Sequence, residues 1–150
     1  MEEDCEERRS IGFELKIVNN LIRRRLDGYF QEIGLEELAG IQGPVIGYIY
    51  RFGSRQDVFQ KDIEREFNIR RSTATVLLQN LELKGYIIRQ PIEQDARLKK
   101  ILLTEKAVEH NTLIHKRIQD FNAELEEGLT EEEKEQFIRI LHKIEENLGV

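Results

Sequence analysis

Apolar residues recur along this chain in two rhythms, and the change from one to the other marks its parts. From Ser10, a suitable N-cap, Ile11, Leu15, Val18, Ile22 and Leu26 fall on one helical stripe. Phe13, Ile17, Leu21, Tyr29 and Phe30 widen it, which predicts a helix to about Gln31 or Glu32. From Thr104, a second N-cap, Ala107, Asn111, Ile114, Ile118, Phe121 and Leu125 predict a helix over 105–127 that Gly128 stops. Thr130 and Glu133 have the spacing of a capping box. They open a last helix striped by Phe137, Leu141, Ile144 and Leu148, with Ile138 and Ile140 beside. The first stripe is broader than a lone surface helix needs, so more than one neighbour is expected to cover it.

The middle of the chain is cut shorter. Gly34 ends the first helix, residues 35–40 connect, and Gly43-Pro44 predicts a helix with proline at its first position. Val45, Ile46, Ile49 and Phe52 form its apolar face, flanked by Tyr48 and Tyr50. After a polar loop at 53–57, Val58 is expected to add a one- or two-residue strand. Gln60–Phe67 then forms a short helix with Ile63 and Phe67 inward. Asn68 suits the turn because it tolerates left-handed backbone angles. The helix that follows runs to Gly85 and buries Ala74, Leu77, Leu78 and Leu81. The rhythm then shifts to two: Tyr86–Gln90 goes out as a strand, 91–98 turns, and Lys99–Leu103 returns. Pro91 fits only the edge of such a sheet.

Chemistry enters on the side of the 69–85 helix that the core does not use. Ser72, Thr73, Thr75, Val76 and Gln79 point away from the apolar face, led in by Arg70 and Arg71. Small hydroxyl and amide side chains behind two arginines suit the major groove of DNA. The hairpin adds Arg89, Arg97, Lys99 and Lys100. The unit reads as a winged helix-turn-helix. The alternative for Arg70 and Arg71 is plain solvated charge, and for Arg97 with Asp95 a surface ion pair worth under about 1 kcal/mol. Arg23-Arg24-Arg25 reads as a solvated face.

A formal net charge of −6 argues against DNA until it is mapped. Residues 54–104 carry ten basic and seven acidic side chains, a net +3, whereas residues 1–53 net −3 and residues 105–150 net −6. A local basic patch suffices, because phosphate contacts act within a Debye length of roughly 8–10 Å. With 39% hydrophobic residues the chain can bury a core. No apolar run is long enough to span a membrane, and the acidic start has no signal-peptide character. A single cysteine fits a reducing cytoplasm. No glycine-rich phosphate loop, metal quartet or activated nucleophile supports an enzyme.

The expected architecture is mainly α with a small β-hairpin wing. A winged helix-turn-helix DNA-binding domain spans 42–104, with its helix-turn-helix at 60–85 and its wing at 86–104. The helices of 10–34 and 105–150 form a dimerisation region, since such proteins usually read two half-sites as a symmetric pair. Residues 1–9 form a flexible N-terminus. The competing class is a winged-helix protein-interaction or dimerisation module without DNA binding.

Several stretches, taken together in this order, carry a family likeness: Arg71-Ser72-Thr73-Ala74-Thr75, Leu81-Glu82-Leu83-Lys84-Gly85-Tyr86-Ile87, Asp95-Ala96-Arg97-Leu98-Lys99-Lys100 and Leu103-Thr104. From about residue 10 to 149 the chain resembles the MarR family of bacterial and archaeal transcriptional regulators. The resemblance implies a cytoplasmic, prokaryotic homodimer on palindromic operators, commonly a repressor, released in many members by a small anionic or phenolic effector or by cysteine oxidation. It implies that Arg97 enters the minor groove, with Asp95 holding its guanidinium in a bidentate ion pair. Ser72, Thr73, Thr75 and Gln79 would face base edges or phosphates, and Arg70, Arg71, Lys99 and Lys100 would reach phosphates. Phe13, Ile17, Tyr48 and Arg51 are candidates for lining an effector pocket.

The likeness also raises two sensing chemistries, and the residues support neither. Cys5 lies among Glu2, Glu3, Asp4, Glu6 and Glu7, which raise a thiol's pKa, and no second cysteine can resolve a sulfenate. His110 and His115, five apart on one helix, face different ways. With His142 they are expected to be exposed or capping residues, not metal ligands, and no cofactor is expected.

Overall fold

Six α-helices and one hairpin follow in the computed structural model, which describes residues 10–150. Helix α1 is Ile11–Glu32, α2 Gln42–Gly53, α3 Gln60–Glu66 and α4 Arg71–Leu83. Strands β1 (Ile87–Pro91) and β2 (Lys99–Leu103) precede α5 (Glu105–Leu125) and α6 (Glu131–Asn147). A short 3-10 turn, Glu36–Leu38, joins α1 to α2. The expected flexibility of residues 1–9 and the inertness of Cys5 lie outside the described residues.

The caps account for where the helices start. Ser10 Oγ accepts the Phe13 N–H at 3.2 Å. Thr130 and Glu133 exchange both bonds of a capping box, at 3.1 and 2.8 Å. Thr104 Oγ1 accepts the Ala107 N–H at 3.3 Å and donates to the Gly85 carbonyl at 2.6 Å, so one hydroxyl caps α5 and ties it to the end of α4. Helix α2 starts earlier than the proline suggests. Gln42 is its first residue, Val45 N–H closes onto the Ile41 carbonyl at 2.9 Å, and Pro44 is third. The missing N–H still costs nothing there, because the first four N–H groups of a helix have no partner within it.

The chain divides into two compact units, one ending at His115 and one running from Lys116 to Val150. The core of the first contains Leu38, Val45, Ile46, Ile63, Leu78, Leu81, Tyr86, Ile87, Ile101 and Ile114, all essentially fully buried. Gly43 lies so close to its neighbours that a Cβ there would meet the Phe30 ring at 3.1 Å and the Leu38 carbonyl at 3.3 Å. Helix α4 buries Ala74, Leu77, Leu78 and Leu81, the four positions its periodicity picks out.

The sheet is a two-stranded antiparallel hairpin with Ile87 opposite Leu103, Arg89 opposite Ile101 and Pro91 opposite Lys99. Val58 does not form a strand. It is buried, and its carbonyl accepts the Ile101 N–H at 2.7 Å. That one bond does what the expected extra strand was to do.

In the second unit, Lys134 Nζ reaches Glu126 at 2.8 Å and Glu131 at 3.0 Å across the turn before α6. No residue of α6 is buried, and Phe137 and Leu148 are 53% and 78% exposed. Helix α1 buries only Phe30, and Ile11 is 66% exposed. Leu15, Ile17, Ile22 and Leu26 on α1 and Leu141 and Ile144 on α6 are half-buried, so the stripes are covered only in part.

Candidate nucleic-acid interface

The site starts from the turn between α3 and α4. Asn68 takes φ +46°, the left-handed conformation that its short polar side chain tolerates. The Phe59 N–H donates to Asp62 Oδ2 at 2.8 Å and so caps α3. The two helices are clasped by side chains: Gln60 Nε2 donates to Thr75 Oγ1 at 2.9 Å, and that hydroxyl donates in turn to the Arg71 carbonyl at 2.9 Å.

Thr75 therefore departs from the expected open face. It is half-buried with its hydroxyl engaged on both sides, and it holds α3 against α4. Ser72, Thr73, Val76 and Gln79 are exposed, as are Arg70 and Arg71. Arg70 sits at the N-cap with extended backbone, so the two arginines flank the start of the helix. Asn80, absent from the sequence expectation, shares a shallow groove with Ser72, Thr73 and Val76. Helical spacing of four from Val76 is the signal that finds it.

The end of α4 sets the wing. Gly85 takes φ +77°. Tyr86 N–H bonds the Leu81 carbonyl at 2.9 Å and Gly85 N–H bonds that of Glu82 at 3.0 Å, the paired bonds of a Schellman motif. This turn places Tyr86 in the core. Its hydroxyl donates to Glu37 on the 3-10 turn and lies 3.1 Å from His110 Nδ1 on α5. Burial, and then the hydrogen bond to Glu37, push its pKa well above the ordinary tyrosine value. Since the one hydroxyl proton goes to Glu37, His110 Nδ1 must be the donor to Tyr86. His110 is thus half-buried and engaged, not exposed. Among the described residues no three His, Cys, Asp or Glu side chains converge to hold a metal ion.

At the wing tip, Leu98 N–H bonds the Asp95 carbonyl at 3.0 Å. Asp95 Oδ1 accepts the backbone N–H of Arg97 at 2.9 Å. The expected bidentate pair with the guanidinium is not formed. A carboxylate two residues before an N–H closes an Asx turn more readily than it reaches a long side chain beyond it. Arg97 and Lys99 are exposed, whereas Lys100 is half-buried with its ammonium 3.7 Å from Asp57. Arg89 is half-buried, 3.3 Å from Glu82 through Nε.

Between α3, the start of α4 and the wing lies a cleft of about 640 Å³ that Arg71, Arg89, Arg97 and Lys99 all line. Lys61 and Arg65 of α3 line it as well, so six cations from α3, α4 and the hairpin meet there with the two carboxylates of Asp62 and Glu64. Phe13, Ile17, Tyr48 and Arg51 line neither this cleft nor the shallow groove on α4. Tyr48 packs its ring against Phe52 at 4.6 Å between centroids, and Arg51 lies over the same Phe52 ring.

Known proteins share this arrangement. A family profile described as MarR family matches residues 37–98. The crystal structure of the transcription regulator MarR from Oenococcus oeni PSU-1 is 34% identical, covering 91% of this chain and 99% of that one with a TM-score of 0.77. A curated relative, the HTH-type transcriptional regulator YybA of Bacillus subtilis (strain 168), is 27% identical over 128 residues, 85% of this chain and 84% of that protein. The MepR–DNA complex of S. aureus superposes with a TM-score of 0.83 over 93% of this chain and 97% of that one, at 24% identity, a likeness of fold. By its sequence, its winged helix-turn-helix and these relatives, the chain belongs to the MarR family of transcription regulators.

Proposed function

We propose that two copies of this chain bind a palindromic DNA operator in the prokaryotic cytoplasm and repress transcription there. The observation that carries the reading is the pairing, within one unit, of an exposed polar α4 face with a wing tip that ends in Arg97. Ser72, Thr73 and Gln79 address base edges or nearby phosphates in the major groove. Arg70, Arg71 and Lys99 neutralise phosphates. Arg97 enters the minor groove, where narrow segments concentrate negative potential. Thr75 and Asp95 position the others through the bonds described above. Lys100 contributes less, because Asp57 already offsets its charge.

Pairing of two copies is supported by the uncovered apolar residues of α1 and α6, which water would otherwise face at roughly 25 cal/mol per Å². Two recognition helices about 34 Å apart would then meet successive turns of the same duplex face. The protein-interaction alternative has no use for a basic cleft between helix and wing. Genome-wide footprinting of the native protein tests the reading. It should return an inverted repeat upstream of a small set of genes whose transcripts rise on deletion. A footprint with no symmetric element would refute it.

A further inference from the structure

Arg89 stands where the hairpin's alternation calls for an apolar residue. It lies directly opposite the buried Ile101 and two residues from the buried Ile87, so it belongs to the inward row of β1. Its side chain is 20% exposed, and its Nε and Nη2 atoms are buried without a hydrogen-bond partner. Glu82 approaches Nε to 3.3 Å but is not aligned to accept from it, and that carboxylate is itself nearly half exposed. Buried guanidinium donors left unpaired are costly, so an oxyanion that displaced what covers them would be held.

The position of this cation says which oxyanion. Arg89 lines the cleft whose walls are α3, the start of α4 and the wing, and there Lys61, Arg65, Arg71, Arg97 and Lys99 outnumber the carboxylates of Asp62 and Glu64. If α4 lies in the major groove and the wing tip in the minor groove, the sugar–phosphate strand that separates the two grooves has to cross between them. The cleft is the gap between those two elements. Building on the function proposed above, we infer that it seats a backbone phosphate of the bound duplex. Arg89 is the principal donor, and Glu82 is the carboxylate which that phosphate displaces. The contact carries no base information, so it sets affinity and register and not sequence preference.

The test is a salt series on the full-length protein with a duplex from its own promoter region, read by fluorescence anisotropy. Arg89→Ala should lower affinity about tenfold near physiological salt and make the slope of log K against log salt shallower by about one. Glu82→Gln should tighten binding a few-fold by removing the competing carboxylate. Thermal melts of both variants check folding. If Arg89→Ala melts early, Glu82→Gln decides, and unchanged affinity there overturns the inference. A well-folded Arg89→Ala with unchanged slope overturns it too, while DNA binding by the unaltered protein leaves the wider function standing. Loss of DNA binding by the unaltered protein would instead sink that function. Inorganic phosphate titrated at constant ionic strength separates the sources. If it stabilises the free protein through Arg89 while the DNA slope is indifferent to Arg89, the cleft belongs to a free oxyanion and the DNA assignment falls.

Discussion

Asp95 holds Arg97 by its backbone: the carboxylate oxygen takes the Arg97 N–H at 2.9 Å and leaves the guanidinium free. The Asp-Ala-Arg spacing thus fixes where the wing tip turns and not where the arginine side chain rests. The distinction has a mutational signature. Asparagine can accept the same N–H, so Asp95→Asn should keep most DNA affinity, whereas Asp95→Ala should lose about 0.5–1.5 kcal/mol. Equal loss in both, measured by anisotropy at fixed salt, would show that the carboxylate's charge matters and its turn does not.

Arg97 itself should matter more. Arg97→Ala is expected to cost about 1–3 kcal/mol of operator affinity with no change in melting temperature, since the side chain is exposed and supports nothing in the fold. Titration against operator and scrambled duplex measures both the loss and any relaxed preference. Unchanged operator binding would remove Arg97 from the interface.

Tyr86 links the end of α4, the 3-10 turn and α5 through Glu37 and His110. Tyr86→Phe should destabilise the protein by about 1–2 kcal/mol, most of it the lost bond to a carboxylate. The pH dependence follows from the raised tyrosine pKa. Its folded value exceeds the unfolded one, about 10, so its contribution is complete below that pH and is lost as the pH rises toward the folded value. The stability gap between the native protein and Tyr86→Phe should therefore narrow above pH 10 in denaturant titrations. A gap that widened there would contradict the assignment of the hydroxyl as donor.

Gly85 has open space where a Cβ would go but takes φ +77°, so only backbone strain opposes a side chain there. Gly85→Ala should cost about 1–2 kcal/mol in chemical denaturation. It should also weaken DNA binding, because this turn aims the wing. A neutral result would mean that the Schellman turn is not needed to set the hairpin.

The fold was legible because its signals are local. The apolar positions of α4, the Thr130–Glu133 box, Asn68 in the turn and Gly85 at the helix end each report a short-range preference, and each appears in the structure as read. What sequence did not reveal depends on distant partners. Val58 contributes a single carbonyl, not a strand, because Ile101 supplies its one bond. Thr75 is occupied because Gln60, fifteen residues earlier, reaches it. His110 is half-buried because Gly85 turns Tyr86 toward it. Arg89 was readable in part, since the period of two places it on the face of Ile87. That its donors are idle emerges only once Glu82 and the cleft are in place.

Two copies of this chain, each with a helix and an arginine-tipped wing, should hold one duplex. Sedimentation of the purified protein with and without a duplex carrying its inverted repeat measures this directly. The expected result is a free species of two chains and a complex of two chains per duplex that salt dissociates. A free monomer, or a complex of one chain on one half-site, would contradict it.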